Sequence, residues 1–258
     1  NGEIKVEQAW VDFEINEAML KTEFVLTPQQ SLVAKLGYYE ERSNTSETGL
    51  GAVEYAENPR QAPTGNNDFF EHERTTLQLL HRWSLGQDAV LSTQFYYADT
   101  YRSSLRQINA PGENAGRSRL ERCPSALRDP GINGSNNLAL ADQCGGRTRP
   151  REFEFFGFEP RLDFAHNAFG LDSFATVGAR YHDENIRRRQ FRADTLAQLR
   201  QETPNINRED IRTDIQATSL YAQNTFLAGD WSFTLGVRYE SVDRDTFIAR
   251  ADGTNINQ

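Results

Sequence analysis

The sequence predicts an all-β chain: about eight strands of an antiparallel transmembrane β-barrel, with short periplasmic turns at one end and long extracellular loops at the other. Three observations carry this. Runs of alternating apolar and polar residues recur in pairs. The link inside each pair is short and turn-like, whereas the links between pairs are long and polar, and large aromatic residues gather near strand ends. A barrel strand needs only about ten alternating residues and leaves a weak hydropathy signal. A mean hydropathy of -0.70, with 37% hydrophobic and 25% charged residues, is compatible with that and too polar for a bundle of membrane helices. No run of about 18 apolar residues exists, so no helix here spans a bilayer.

The first pair is "MLKTEFVL" and "SLVAKLGYYEE", joined at Thr27, Pro28, Gln29 and Gln30. The second is "TTLQLLHRWSL" and "AVLSTQFYYAD", joined at Gly86, Gln87 and Asp88. "REFEFFGFEPRLDFAH" and "SFATVGARYHDE" follow, turning between Asn167 and Asp172, and "TSLYAQNTFL" and "WSFTLGVRYESVD" turn at Ala228, Gly229 and Asp230. Between pairs run polar links over residues 44–68, 103–149 and 187–212. Structureless loops longer than about 15 residues are uncommon in compact soluble domains, and their placement at one end only is the asymmetry of an outer-membrane barrel.

Parity divides each strand into two faces. Trp231, Phe233, Leu235, Val237 and Tyr239 fall on one, and Ser232, Thr234, Gly236, Arg238 and Glu240 on the other. In "FEPRLDF" the face of Phe158, Leu162 and Phe164 is expected to meet lipid, and that of Glu159, Arg161 and Asp163 a wet interior. A soluble sandwich also alternates. The positions of Trp83, Tyr97, Tyr181, Trp231 and Tyr239 near strand ends, where an interfacial belt would hold them, favour the membrane. Two places resist the pattern. Pro160 cannot donate to a ladder and marks a bulge or an edge. In residues 5–18, Val11, Phe13 and Ile15 are out of phase with Leu20, Phe24 and Leu26, which predicts a break near Asn16 to Ala18.

The formal net charge of -9 counts against nucleic-acid binding, which needs a basic surface. "NGEIKVEQAWVDF" has neither the basic start nor the apolar stretch of a signal peptide, so the chain reads as an internal piece of something longer. Cys123 and Cys144 close a segment rich in Gly, Pro, Asn and Ser. Such a pair reads as a disulfide formed in an oxidising compartment, with two unrelated thiols as the alternative.

"LKTEFVLTPQQSLVAKLGYYEERSNTSETGLGAVEYAENPRQAP", followed by "FFEHERTTLQLLHRW", resembles the early barrel of TonB-dependent receptors of the ferric citrate type. "RPREFEFFGFEPRL", "VGARYHDENIRRRQF" and "SLYAQNTFLAGDWSFTLGVRYESVDRD" resemble the later hairpins of the same family, in the same order. The resemblance covers most of the chain. It implies a 22-stranded barrel in the bacterial outer membrane, plugged by an N-terminal domain and importing a ferric siderophore, such as ferric citrate or another carboxylate chelate, with energy from the TonB complex. Residues 1–258 are then all barrel, with the plug and its TonB-contacting segment absent.

Among residues that could carry chemistry, Arg147, Arg149 and Arg151 border one long link, and Arg187, Arg188, Arg189 and Arg192 open the next. Guanidinium forks bind carboxylate oxygens in pairs, so these seven are the ligand-binding candidates, expected on loops; the alternative is a salt-bridged rim answering Asp183, Glu184 and Asp194. Glu159, Arg161, Arg180, Arg238 and Glu240 are expected to pair across neighbouring strands. His72, His81, His166 and His182 lack metal-ligand spacing, so no metal site and no resident cofactor is expected; iron would arrive inside its carrier. "DPGINGSNN" reads as a turn-rich loop rather than a calcium site. With no nucleophile elbow or phosphate-cradling loop, an enzyme is not expected, and the rival function is a non-transport surface or adhesive β protein.

Overall fold

A computed structural model of the chain describes residues 2–6, 9–44, 56, 59, 68–107, 146–193, 207–249 and 255–257, with side chains placed for 13–44, 56, 59, 68–106, 146–191 and 210–249. Its strands are β1 (Gly2–Val6), β2 (Ala9–Thr27), β3 (Gln30–Ser43), β4 (Phe69–Ser84), β5 (Ala89–Gln107), β6 (Gly146–Thr148), β7 (Arg151–Ala168), β8 (Leu171–Ala193), β9 (Asn207–Ala228), β10 (Trp231–Ala249) and β11 (Asn255–Asn257). All belong to one 11-stranded antiparallel sheet. The eight long strands, β2 to β5 and β7 to β10, form the four expected hairpins. Cys123, Cys144 and "DPGINGSNN" lie outside the described residues.

The tight turns all fall at one end of the sheet. Phe169 and Gly170, with φ of 56° and 79°, make the β7–β8 turn; two left-handed central residues match the right-handed twist of the strands they join. At the other end the strands run further than their alternation suggested. β8 has 23 residues, against about ten needed to cross a bilayer. Much of 187–212, and the two ends of 103–149, is therefore strand rather than loop.

Two further expectations change. No break occurs at Asn16 to Ala18, where β2 stays in register with β3; the shift lies at Val25/Thr27. The change of phase has another cause. Ala18 lies opposite Tyr38, the upper limit of the apolar band, and beyond that limit no face has to be apolar. Pro160 is neither at an edge nor at a bulge: it pairs with Thr93 of β5, and the β7–β8 register is the same on both sides of it, Phe158 with Tyr181 and Arg161 with Gly178. The ladder to β8 simply skips it, as a residue without an N–H requires. Likewise β6 and β7 keep one register against β5 and β8, so they are one strand that Pro150 interrupts. Arg149 N–H still donates to the Ser104 carbonyl at 3.0 Å, and Arg189 N–H to that of Pro150 at 2.9 Å.

Register extends the two faces across the whole sheet. One row runs Tyr97, Phe156 and Asp183, with Leu91, Leu162, Val177, Ala222 and Val237 in line nearer the tight turns. This apolar face is bare: Trp231, Leu235 and Val237 are 72%, 69% and 71% exposed, and no second sheet covers it among the described residues. From Trp231 to Tyr239 is about 27 Å along the strand, or roughly 20 Å of depth at a tilt near 40°, close to the height of a lipid-facing band.

Candidate functional site

The opposite, polar face carries the charged residues. Inside the band, on β7 to β10, its charges are satisfied mostly along a strand or through neutral groups rather than by the expected cross-strand ion pairs. Arg161 pairs with Asp163 at 2.8 Å and Arg238 with Glu240 at 2.6 Å, both two residues apart. Cross-strand links come from neutral donors: Tyr221 Oη donates to Glu159 at 2.9 Å, Thr176 Oγ1 to Asp163 at 2.6 Å and Ser219 Oγ to Glu240 at 3.1 Å. Arg180 Nε donates to Tyr96 Oη at 3.0 Å, and that hydroxyl lies 2.9 Å from His182 Nδ1. Tyr96 lies over Gly157 and Tyr221 over Gly178, so closely that a Cβ on either glycine would overlap the ring. A ring laid across a neighbouring glycine screens its open backbone and pins register.

Beyond the band, toward the long links, the polar face becomes cationic. His72, Arg102, Arg151 and Arg188 occupy directly opposite positions on four adjacent strands. Further out, Arg106, Arg147 and Arg192 do the same. Between the two rows Arg149 donates from Nε to Gln190 at 3.3 Å. Arg102 and Arg188 are exposed, Arg147 is buried, and the Arg102 guanidinium lies over the Phe70 ring, 5.9 Å from its centre. A recess of about 420 Å³ adjoins this cluster, lined by Glu17, Lys35, Tyr39, His72, Arg74 and Gln78.

The seven sequence candidates therefore divide. Arg147, Arg149, Arg151, Arg188 and Arg192 hold positions on the polar face, on strands except for Arg149 beside Pro150; the side chain of Arg192 is outside the described set. Arg187 and Arg189 point to the other face. There Arg187 makes a two-pronged contact with Asp210, at 3.2 and 3.1 Å, and Arg189 pairs with Glu152. Hydrogen bonds to Asp210 raise the Arg187 pKa above its ordinary value. Sequence reasoning missed Arg102, Arg106 and His72. The signal was present for the arginines: Arg102, Ser104 and Arg106 continue the polar phase of Ser92, Gln94 and Tyr96. Of the histidines, His72 and His182 sit on the polar face, whereas His81 and His166 sit on the apolar one, bonded to Gln30 and Asn224.

What this arrangement offers chemically is a wall of guanidinium donors for a multivalent anion, beside aromatic and imidazole rings. Residues 22–257 match the sequence model of a family described as TonB dependent receptor-like, beta-barrel. None of the curated proteins matches the chain. Solved structures do. The ferric citrate transporter FecA in its unliganded form is 18% identical with a TM-score of 0.71, over 97% of this chain and 32% of that one. The closed form of the ferric-catecholate import receptor Fiu from E. coli K12 is 9% identical with a TM-score of 0.65, over 96% and 39%. BauA, the ferric preacinetobactin receptor from Acinetobacter baumannii, is 8% identical with a TM-score of 0.62, over 95% and 36%. The chain thus spans about a third of the length of the structures it matches.

Proposed function

The chain belongs to the TonB-dependent receptor β-barrel family, and on that premise we propose that it forms part of the wall of a bacterial outer-membrane receptor for a ferric siderophore. The apolar face meets lipid, the polar face lines the lumen, and the arginine rows lie toward the extracellular mouth. The observation that carries this reading is the placement of Arg102, Arg151 and Arg188 side by side on the lumen face. A polyanion presented to this row can take guanidinium forks from adjacent strands at once.

The cargo is an anionic chelate, a carboxylate-rich one such as ferric citrate being the best match to guanidinium forks. Arg102 and Arg188 contact it, Arg149 and Arg151 support the same wall, and Arg187 and Arg189 take no part. Transport draws on the TonB complex through a plug belonging to the whole receptor. No covalent step is assigned to any residue: the family is one of receptors rather than enzymes, and the iron is cargo.

The test is titration of the purified receptor with ferric citrate and with a neutral ferric chelate. Changing Arg102 and Arg188 together to Ala is expected to weaken ferric citrate binding at least tenfold, and Arg187→Ala to leave it unchanged. Equal affinity of wild type and double variant overturns the assignment, and tighter binding of the neutral chelate overturns the carboxylate preference.

A further inference from the structure

The lumen face carries further cations, deeper than the arginine rows. Lys21 of β2 and Lys35 of β3 lie directly opposite each other on it. Each stands one residue on the tight-turn side of Leu20 and Leu36, which face outward in the apolar band. From Tyr38, the upper limit of the band, to Lys35 is about 10 Å along the strand, or roughly 7 Å of depth at barrel tilt. Both ammonium groups therefore stand at hydrocarbon depth, where charges are costly and those that persist mark paths for ions or substrates. No carboxylate answers them: Glu17 and Glu23 share their face on β2, yet none of the four makes a hydrogen bond or an ion pair among the described residues. Charges in the band on β7 to β10 are arranged otherwise, Arg161 holding Asp163 at 2.8 Å and Arg238 holding Glu240 at 2.6 Å.

A recess joins these lysines to the mouth. The hollow of about 420 Å³ beside the arginine cluster begins at His72, directly opposite Arg102, and ends at Lys35 and Gln78. From His72 to Gln78 is six residues, about 20 Å along the strand. Arg74 stands between them, opposite Tyr39, and it too makes no hydrogen bond or ion pair among the described residues. The floor is Gly37, across which Thr76 leans so closely that a Cβ there would lie 2.6 Å from Oγ1. At the outer end the Tyr39 and His72 rings stand 5.3 Å apart, and Tyr39 Oη donates to Glu41 at 2.8 Å, which occupies that carboxylate. Of the charges lining the hollow, Lys35 and Arg74 outnumber Glu17. A space of this size lies within the range of small-molecule sites, about 300–1,000 Å³.

We propose that this recess is a second, inner site for the anionic ferric chelate, which leaves the arginine row along Arg74 and is held by Lys35 and Lys21 before it moves deeper. The inference rests on the receptor reading above and adds a transit site to it. Lysine and arginine side chains lining a pore pass anions on condition that binding is favourable enough to enter and weak enough to leave. Ammonium groups, which lack the guanidinium fork and meet a carboxylate as point charges, supply the weaker grip.

Binding and uptake separate the two sites. Radiolabelled ferric citrate is titrated onto the purified receptor, and its uptake is followed in cells that carry the full receptor as their sole route for ferric citrate. Lys21→Gln with Lys35→Gln is expected to leave affinity within about twofold of wild type and to lower the maximal uptake rate about fivefold. Lys21→Arg with Lys35→Arg restores the rate, because it keeps both charges. Arg42→Gln, which removes an exposed cation paired with Glu40 on the opposite face, changes neither quantity. Should the double variant not reach the outer membrane, Arg74→Gln lowers the rate about twofold by itself. An unchanged rate in either variant at equal surface abundance, a fall in affinity that accounts for the whole loss of rate, or no rescue by arginine overturns the inner site. A wild-type receptor that binds no ferric citrate overturns instead the cargo assignment on which the inner site rests.

Discussion

Individual residues on the polar face separate into those that hold the wall together and those proposed to meet cargo. Gly157 and Gly178 belong to the first group. Gly157→Ala forces the Tyr96 ring off its seat and with it the contacts to His182 and Arg180. A loss of about 1–3 kcal/mol is expected, the usual cost of overfilling a tight site, read from urea unfolding of the receptor in vesicles. Gly236→Ala serves as the comparison: its added Cβ approaches Gln223 only to 3.2 Å, and its cost is expected to be smaller. His72 carries a pH effect. Burial, and then the charges of Arg102 and Arg74, hold its pKa below the ordinary imidazole value against the pull of Glu41. The unfolded chain therefore takes up this proton at a higher pH than the folded one, and His72 costs stability as pH falls through and below its unfolded value. Unfolding midpoints at pH 7 and pH 5 are expected to differ less in His72→Gln than in the wild type; an unchanged difference removes His72 as a contributor.

For the elements, alternation revealed existence and pairing but not length. The four hairpins and their turns were legible because period-two patterning and turn chemistry are local, and inside a bilayer most outward residues are apolar. Past the band that constraint lapses. The upper halves of β5 and β8 look like polar links in the sequence, and so Arg187, Arg188 and Arg189 read as a loop cluster although strand geometry sends alternate ones to opposite faces. Pro160 was misleading for a related reason: a proline argues against a central strand only if the neighbour needs its donor at every step. A barrel wall tolerates one omission where the strand on the other side, β5, keeps its pairing. Pro160→Val supplies an N–H toward β8 in a setting where water cannot substitute for it. It is expected to raise stability by about 1 kcal/mol, seen as a higher urea midpoint; a lower midpoint would mean that the proline ring contributes more than the missing bond.

Taken as a whole, the molecule is a sheet that cannot exist in water with its faces as they are. Phe24, Phe158, Phe233, Leu235 and Val237 are all exposed on one side, and only a handful of hydrophobic residues are buried among those described. Either lipid or another protein layer must cover that side, and the position of the tryptophans discriminates between them. Trp83 and Trp231 both lie at the tight-turn end of the apolar face, opposite Leu91 and Ala228. In a bilayer they sit at the headgroup boundary of the periplasmic leaflet, with the hydrocarbon centre nearer Val177 and Val237. The receptor reconstituted into vesicles of phospholipids brominated at graded depths, with its remaining tryptophans changed to Phe, is therefore expected to lose Trp83 and Trp231 fluorescence most strongly to the shallowest label. Quenching that peaks at the deepest label would move the band along the strands. No quenching at any depth would show that protein, rather than lipid, covers this face.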